Sequence, residues 1–166
     1  MKGAAALGCL ATVLGADWVI AFRRPRWIVS GLFDEPAHLA TAGLVLLNLP
    51  RRSGPWAGGF LVGSVLPDLD HIPLALRHEH PVPTDPRPVT HCLPTVAPLA
   101  IAAYLTRSEA LTGAAGGAVA HFARDLAVGT GVALLRPLAG RSVKVPYPVY
   151  AGAVVALAAR GARRWG

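Results

Sequence analysis

Apolar residues fall into six stretches along the chain, at about 4–22, 36–50, 56–76, 91–106, 110–135 and 145–160. Short segments between them collect Arg, Pro and acidic residues. A bilayer is crossed by about 20 mostly apolar residues. Several stretches reach that length only by including an Asp or a His, and uncharged runs such as 36–50 and 53–67 are shorter. The first stretch follows only Lys2, contains Asp17 and runs into Arg23-Arg24-Pro25-Arg26, which predicts a retained helix rather than a cleaved leader. The pattern predicts an all-α fold: a polytopic membrane bundle of about six helices, forming a single integral membrane domain over 1–166.

Small residues within the stretches sharpen this picture. Gly59 and Gly63 make one GxxxG, and Gly113 and Gly117 make another. This spacing lets two helix backbones approach closely. Prolines mark the connections: Pro81, Pro83, Pro86 and Pro88 in one loop, Pro137, Pro146 and Pro148 in another. Pro67 and Pro73 bracket a segment that is not regular helix throughout.

Composition agrees. Of 166 residues, 53% are hydrophobic and only 15% charged, against about 25% charged in a soluble domain. The mean hydropathy is +0.46. A soluble enzyme and a disordered chain are both disfavoured. The net charge of +7 would suit nucleic acid on a soluble chain. Here the basic residues flank apolar stretches (Arg23, Arg24 and Arg26; Arg51 and Arg52; Arg160, Arg163 and Arg164), with no interleaved aromatics for base stacking. No nucleic-acid partner is expected, and the partner is the lipid bilayer. Cys9 and Cys92 form neither a disulfide framework nor a zinc spacing.

Ionisable residues at apolar segments are costly and mark function. Following six crossings, His38, Asp68, Asp70, His71, His91, His121 and Asp125 all reach one side. His121 and Asp125 are four apart, so on a helix they share a face about 6 Å apart along the axis. Asp68, Asp70 and His71 sit within Leu66-Pro-Asp-Leu-Asp-His71. In an extended piece the two aspartates face one way, and in a helical piece Asp68 and His71 do. His91 stands where a polar loop meets a helix. Pro36 fits the first turn of a helix, with Asp34 or Glu35 at its start and His38 just inside. Each element has a bland alternative: a buried His–Asp bond, an N-cap, an interface histidine. Together they make a mixed imidazole and carboxylate set suited to zinc, manganese or iron. Their excess over four ligands suggests two ions, or one ion with supporting residues. Arg124 suits either a phosphate or the membrane interface. His78, Glu79 and His80 read as solvated loop residues.

The order of these elements resembles the YdjM-like family of membrane-bound, metal-dependent hydrolases. The resemblance runs from about His38 to Lys144, through Pro67-Asp-Leu-Asp-His71, Thr90-His91, His121-x-x-x-Asp125 and Gly131-Val-Ala-Leu-Leu-Arg-Pro-Leu-Ala-Gly-Arg141. The family usually shows His-Arg-Gly before Thr-His, where this chain has Pro86-Arg87-Pro88. The order is also similar to the metal site of zinc-dependent phospholipase C and the single-strand nucleases of its fold, without their further His and Glu pair. The resemblance implies hydrolysis of a phosphodiester or other ester in a lipid or lipid-linked substrate by a metal-activated water. Its ligands would be His38, Asp68, Asp70, His91, His121 and Asp125, holding one or two divalent ions, zinc foremost. Asp70, His71 and Arg87 would serve catalysis, and Arg87 and Arg124 would hold the anionic group. Basic residues in the short loops place the site on the outer face of a cytoplasmic (inner) membrane. A divalent-metal transporter and a non-catalytic scaffold are the competing readings. Transport calls for polar residues through the midplane, and the second, fourth and sixth stretches lack carboxylates, with only Arg at their far ends.

Overall fold

A computed structural model describes residues 2–50, 52–76 and 90–165. Among the described residues the fold is all-α: seven α-helices and no strand beyond one isolated bridge. We number them α1 (Lys2–Trp18), α2 (Trp27–Asn48), α3 (Gly54–Gly63), α4 (His71–Leu76), α5 (Leu93–Thr106), α6 (Glu109–Asp125) and α7 (Tyr147–Trp165). A π-helical turn, Val19–Arg23, extends α1, and a 3-10 turn, Leu66–Asp70, precedes α4.

Three segments differ from the sequence expectation, and one of them, the stretch over 110–135, is helical only through Asp125. The helix expected to begin near Pro36 starts at Trp27 and carries Pro36 in its interior. The stretch expected as one segment over 56–76 breaks into α3, the 3-10 turn and α4. Pro67 explains this, since it lacks the N–H that a continuing α-helix would use. Only Lys2–Arg23 is long and apolar enough to cross a bilayer among the described residues.

The chain divides into two compact units, residues 1–51 with 148–166, and residues 52–147. In the first, α1 packs on α2. The Asn48 amide donates to the carbonyls of Leu44, at 2.8 Å, and Leu157, at 2.9 Å, tying α2 to α7. The hydroxyls of Thr41 and Tyr150 meet at 2.8 Å. Asp17 and His38 are both buried.

In the second unit α3 and α6 run parallel, and their starts are matched. Ser53 caps α3 by accepting from the Trp56 N–H, and Ser108 caps α6 by accepting from the Leu111 N–H. Capping hydroxyls satisfy N–H groups that the helix itself leaves open. The Ser53 hydroxyl also donates to Glu109 at 2.5 Å, joining the two helix starts. From there the GxxxG pairs interlock. A Cβ on Gly59 would lie 2.0 Å from the Ala110 carbonyl oxygen, and one on Gly63 2.0 Å from that of Ala114. Reciprocally, a Cβ on Gly113 or Gly117 would lie 2.0 Å from the carbonyl oxygen of Trp56 or Phe60. Only glycine fits a backbone approach this close. Helix α5 ends at Arg107 in a left-handed conformation (φ 52°), and α6 begins two residues later. Helix α5 therefore folds back along α6. The C-terminal ends of α3 and α6 and the N-terminal end of α5 meet at one end of this unit.

Candidate metal centre

That end carries the ionisable residues. Because Gly63 and Gly117 bring the backbones together, His121, one turn beyond Gly117, reaches the residue just past Gly63. Its Nδ1 lies 2.8 Å from the Ser64 carbonyl oxygen. A carbonyl only accepts, so Nδ1 carries the hydrogen. The last carbonyls of a helix lack intrahelical partners, so this bond satisfies an open end of α3. It also orients the imidazole, with Nε2 turned toward Asp125 Oδ2 at 3.0 Å and Asp68 Oδ2 at 3.7 Å.

His91 is oriented by a different device. The Thr90 hydroxyl donates to Asp70 Oδ2. Burial raises the Asp70 carboxyl, but hydrogen bonds from His71 and Thr90 and the nearby imidazoles outweigh it and hold Asp70 below the usual carboxylate range. Asp70 is therefore ionised and only accepts. With its one hydrogen committed, the Thr90 oxygen accepts from His91 Nδ1–H at 3.0 Å. His91 Nε2 then faces Asp68 Oδ1 at 3.0 Å and Asp125 Oδ2 at 3.6 Å.

Both imidazoles thus hold their Nδ1 hydrogens outward and converge their Nε2 atoms on the same two carboxylates. The side chains of His91 and His121 are fully buried, and Asp125 nearly so. Lone pairs at such separations need a cation between them, either a proton at each ring or one shared ion. Ligands at zinc bond lengths of about 2.0–2.1 Å in a tetrahedron stand roughly 3.4 Å apart. The 3.0–3.7 Å separations around Asp68, His91, His121 and Asp125 bracket that value. One divalent ion would balance the two carboxylates with both imidazoles neutral. The donor set fits such an ion, and the N–H bonds to Ser64 and to Thr90 are the outer contacts that metal-bound histidines make.

His71 occupies the rim, one-third exposed, with Nδ1 2.9 Å from Asp70 Oδ1 and 3.4 Å from Asp68 Oδ1. Hydrogen bonds to Asp68 and Asp70 hold it protonated, with its pKa raised to about 10. These residues lie in the turn beyond α3.

Six residues predicted from sequence therefore meet here: Asp68, Asp70, His71, His91, His121 and Asp125. They occupy two layers, because Asp70 engages Thr90 and His71 while Asp68 and Asp125 face the Nε2 atoms. His38 belongs to the other compact unit, where its Nε2 stands 3.9 Å from Asp34 Oδ2. Arg87, with His78, Glu79 and His80, lies outside the described residues. Arg124 is fully buried, so its side chain does not reach out to a membrane interface. Sequence reasoning missed the orienting contacts of Thr90 and the Ser64 carbonyl. The Thr-His pair hinted at the first, and nothing in sequence marks a backbone carbonyl. Cys92 is buried beside His91, and neither it nor Cys9 forms a disulfide.

Comparison with known protein families adds a decisive match: the model of the YdjM inner membrane protein family fits residues 35–165. The chain belongs to the YdjM inner membrane protein family. The YdjM match takes in α3 to α6 and every residue of the centre. It starts after the apolar Lys2–Arg23 helix, so a helix long and apolar enough to cross a bilayer precedes the matched region. YdjM membership makes the bilayer this chain's environment. No curated protein and no solved structure matches the chain.

Proposed function

We propose that this YdjM-family chain is a polytopic, membrane-embedded, metal-dependent hydrolase acting on a phosphodiester or other ester of a lipid or lipid-linked substrate. The observation that carries the reading is the convergence of His91 and His121 Nε2 on Asp68 and Asp125, with both Nδ1 hydrogens committed elsewhere. Embedding in lipid is supported by large apolar side chains left on the surface of the helices, including Leu7, Leu32, Ile101 and Leu105.

Asp68, His91, His121 and Asp125 would hold the ion, with zinc the best fit and manganese or iron alternatives. Such an ion lowers the pKa of a bound water toward neutrality and polarises the ester it faces. The chain's own groups do the rest. Ser64 and Thr90 keep both imidazoles aimed inward. His71, protonated on the exposed rim, donates a proton to a leaving oxygen. The proton it gives is the Nε2 hydrogen; Asp70 accepts from Nδ1–H, which orients the ring, and fixes Thr90. Arg87 binds the anionic group, while Arg124 supports the buried end of α6. Basic residues in the short loops favour the outer face for the site. No Asp, Glu, His, Lys or Arg occurs in 54–63, 93–106 or 110–120, the helices beneath the centre. This favours hydrolysis over ion transport.

The test is elemental analysis of detergent-purified protein together with a screen of lipid and phosphodiester substrates. Stoichiometric metal and an activity absent from His121→Ala support the reading. Metal-free protein, or activity indifferent to His121→Ala, defeats it. Metal uptake into proteoliposomes without hydrolysis would favour transport instead.

A further inference from the structure

The segment after α6 is pinned against the metal centre at its base and carries bare apolar side chains at its tip. Val145 N–H donates to the Leu126 carbonyl, one residue past Asp125, at 2.7 Å. Leu93 N–H, two residues past His91, donates to the Leu134 carbonyl at 2.9 Å. Between these anchors Val132 and Val143 pair in both directions, at 3.0 and 2.9 Å, and Lys144 Nζ donates to the Gly129 carbonyl. Gly131 (φ +84°) permits the crossing, since a Cβ there would meet the Val143 carbonyl oxygen at 2.4 Å. Val132 and Ala133 are buried at this base.

The tip has the opposite character. Leu138 is 87% exposed and Leu135 54%, with Pro137, Ala139 and Gly140 exposed around them. Turns that face water favour polar residues. Arg136, Arg141 and Lys144 accompany this tip, and no acidic residue occurs anywhere in 126–166. Apolar side chains beside an exclusively basic set are the signature of a segment lying in the headgroup region of an anionic membrane. A second copy would set three positive charges against three, whereas an anionic leaflet complements them.

We propose that residues 131–146 form a membrane-docking lip: Leu135 and Leu138 enter the headgroup boundary of an anionic leaflet while Arg136, Arg141 and Lys144 bind lipid phosphates. Through the Leu126 and Leu93 anchors the lip sets the metal centre beside that leaflet. It rests on the proposed hydrolase only in what it adds there, a lipid substrate entering from the membrane side.

The test uses the full-length protein with Cys9→Ala and Cys92→Ala. An environment-sensitive fluorophore is attached at Leu138→Cys or, for comparison, at Thr130→Cys near the base. The protein is reconstituted in phosphatidylcholine vesicles with or without phosphatidylglycerol. Nitroxide carried on the lipids near the headgroups should quench the label at 138 at least about twofold more than that at 130. The difference should grow with phosphatidylglycerol and shrink in the Arg136→Gln/Arg141→Gln/Lys144→Gln variant. Water-like emission at 138 with equal quenching by aqueous iodide at both sites overturns the lip. So does a buried label that lipid nitroxides do not reach, the outcome a second copy would give. If the labelled variants do not fold, amide hydrogen exchange of unsubstituted protein decides: exchange over 135–141 slows with phosphatidylglycerol if the lip docks and is unchanged if it does not. Metal content is not read, so the lip and the hydrolase fail separately.

Discussion

Along the α3–α6 pair, the half that begins at Ser53 and Ser108 and the half beyond Gly63 and Gly117 solve opposite problems. The first holds together mainly by contact, through four glycines set against facing backbone, with a single Ser53–Glu109 hydrogen bond at its start. The second crowds carboxylates and imidazoles into a buried space, where each group depends on a partner supplied from elsewhere. Contact packing tolerates no added atom, whereas the polar end tolerates no lost hydrogen bond. The halves are coupled, because the glycine seam sets the distance at which His121 reaches the Ser64 carbonyl.

The seam offers the harshest way to break this comparison. Gly117→Leu drives a side chain into the Phe60 carbonyl and should cost at least about 3 kcal/mol, seen as loss of the thermal unfolding transition in detergent and loss of bound metal together. Gly58→Ala, with open space around its Cβ, should leave both unchanged. Next, His121→Ala or Asp125→Ala should leave the helices folded by circular dichroism while metal affinity falls by more than about 100-fold, beyond what outer contacts usually contribute. Thr90→Val separates the layers further. It keeps the ligands but removes the hydroxyl that orients His91, so affinity should fall about 10–100-fold, and Thr90→Ser should restore it.

The smallest effect concerns the rim. His71 has its pKa raised from the ordinary 6.5 to about 10 by its hydrogen bonds to Asp68 and Asp70. A raised histidine contributes stability that is full below its unfolded value and is lost as pH climbs through the folded one. In chelator-treated protein, His71→Gln should therefore lower the melting temperature most below about pH 6.5. The difference should shrink between there and pH 10, and should not exceed about 2–4 °C at a partly exposed site. A difference that grows with pH would contradict the assigned contacts.

Much of this was legible in the sequence, for physical reasons that differ by element. The apolar stretches at 4–22, 91–106 and the start of 110–135 became α1 with its π turn, α5 and α6, because their composition suits helix and no proline interrupts them except within α5. The two GxxxG pairs were readable as close-approach sites, although not as each other's partners. The break at Pro67 was readable as irregular, but its 3-10 form was not. At Pro36 local preference misled. Pro36 instead lies in the interior of α2, which starts at Trp27.

The sequence by itself determined that this chain is helical and apolar, that several of its few carboxylates and histidines lie within apolar stretches, and that small residues recur at four-residue spacing. Those are properties of composition and periodicity, which no folding is needed to read. Only the tertiary structure decided that Asp68 faces the imidazole nitrogens while Asp70 anchors Thr90. The two aspartates are equivalent as letters two positions apart. What separates them is the 3-10 turn that carries them, together with Thr90, which arrives from 20 residues further along the chain. The same holds for His121, whose orientation depends on a backbone carbonyl that every residue possesses and that only the glycine seam brings within 2.8 Å.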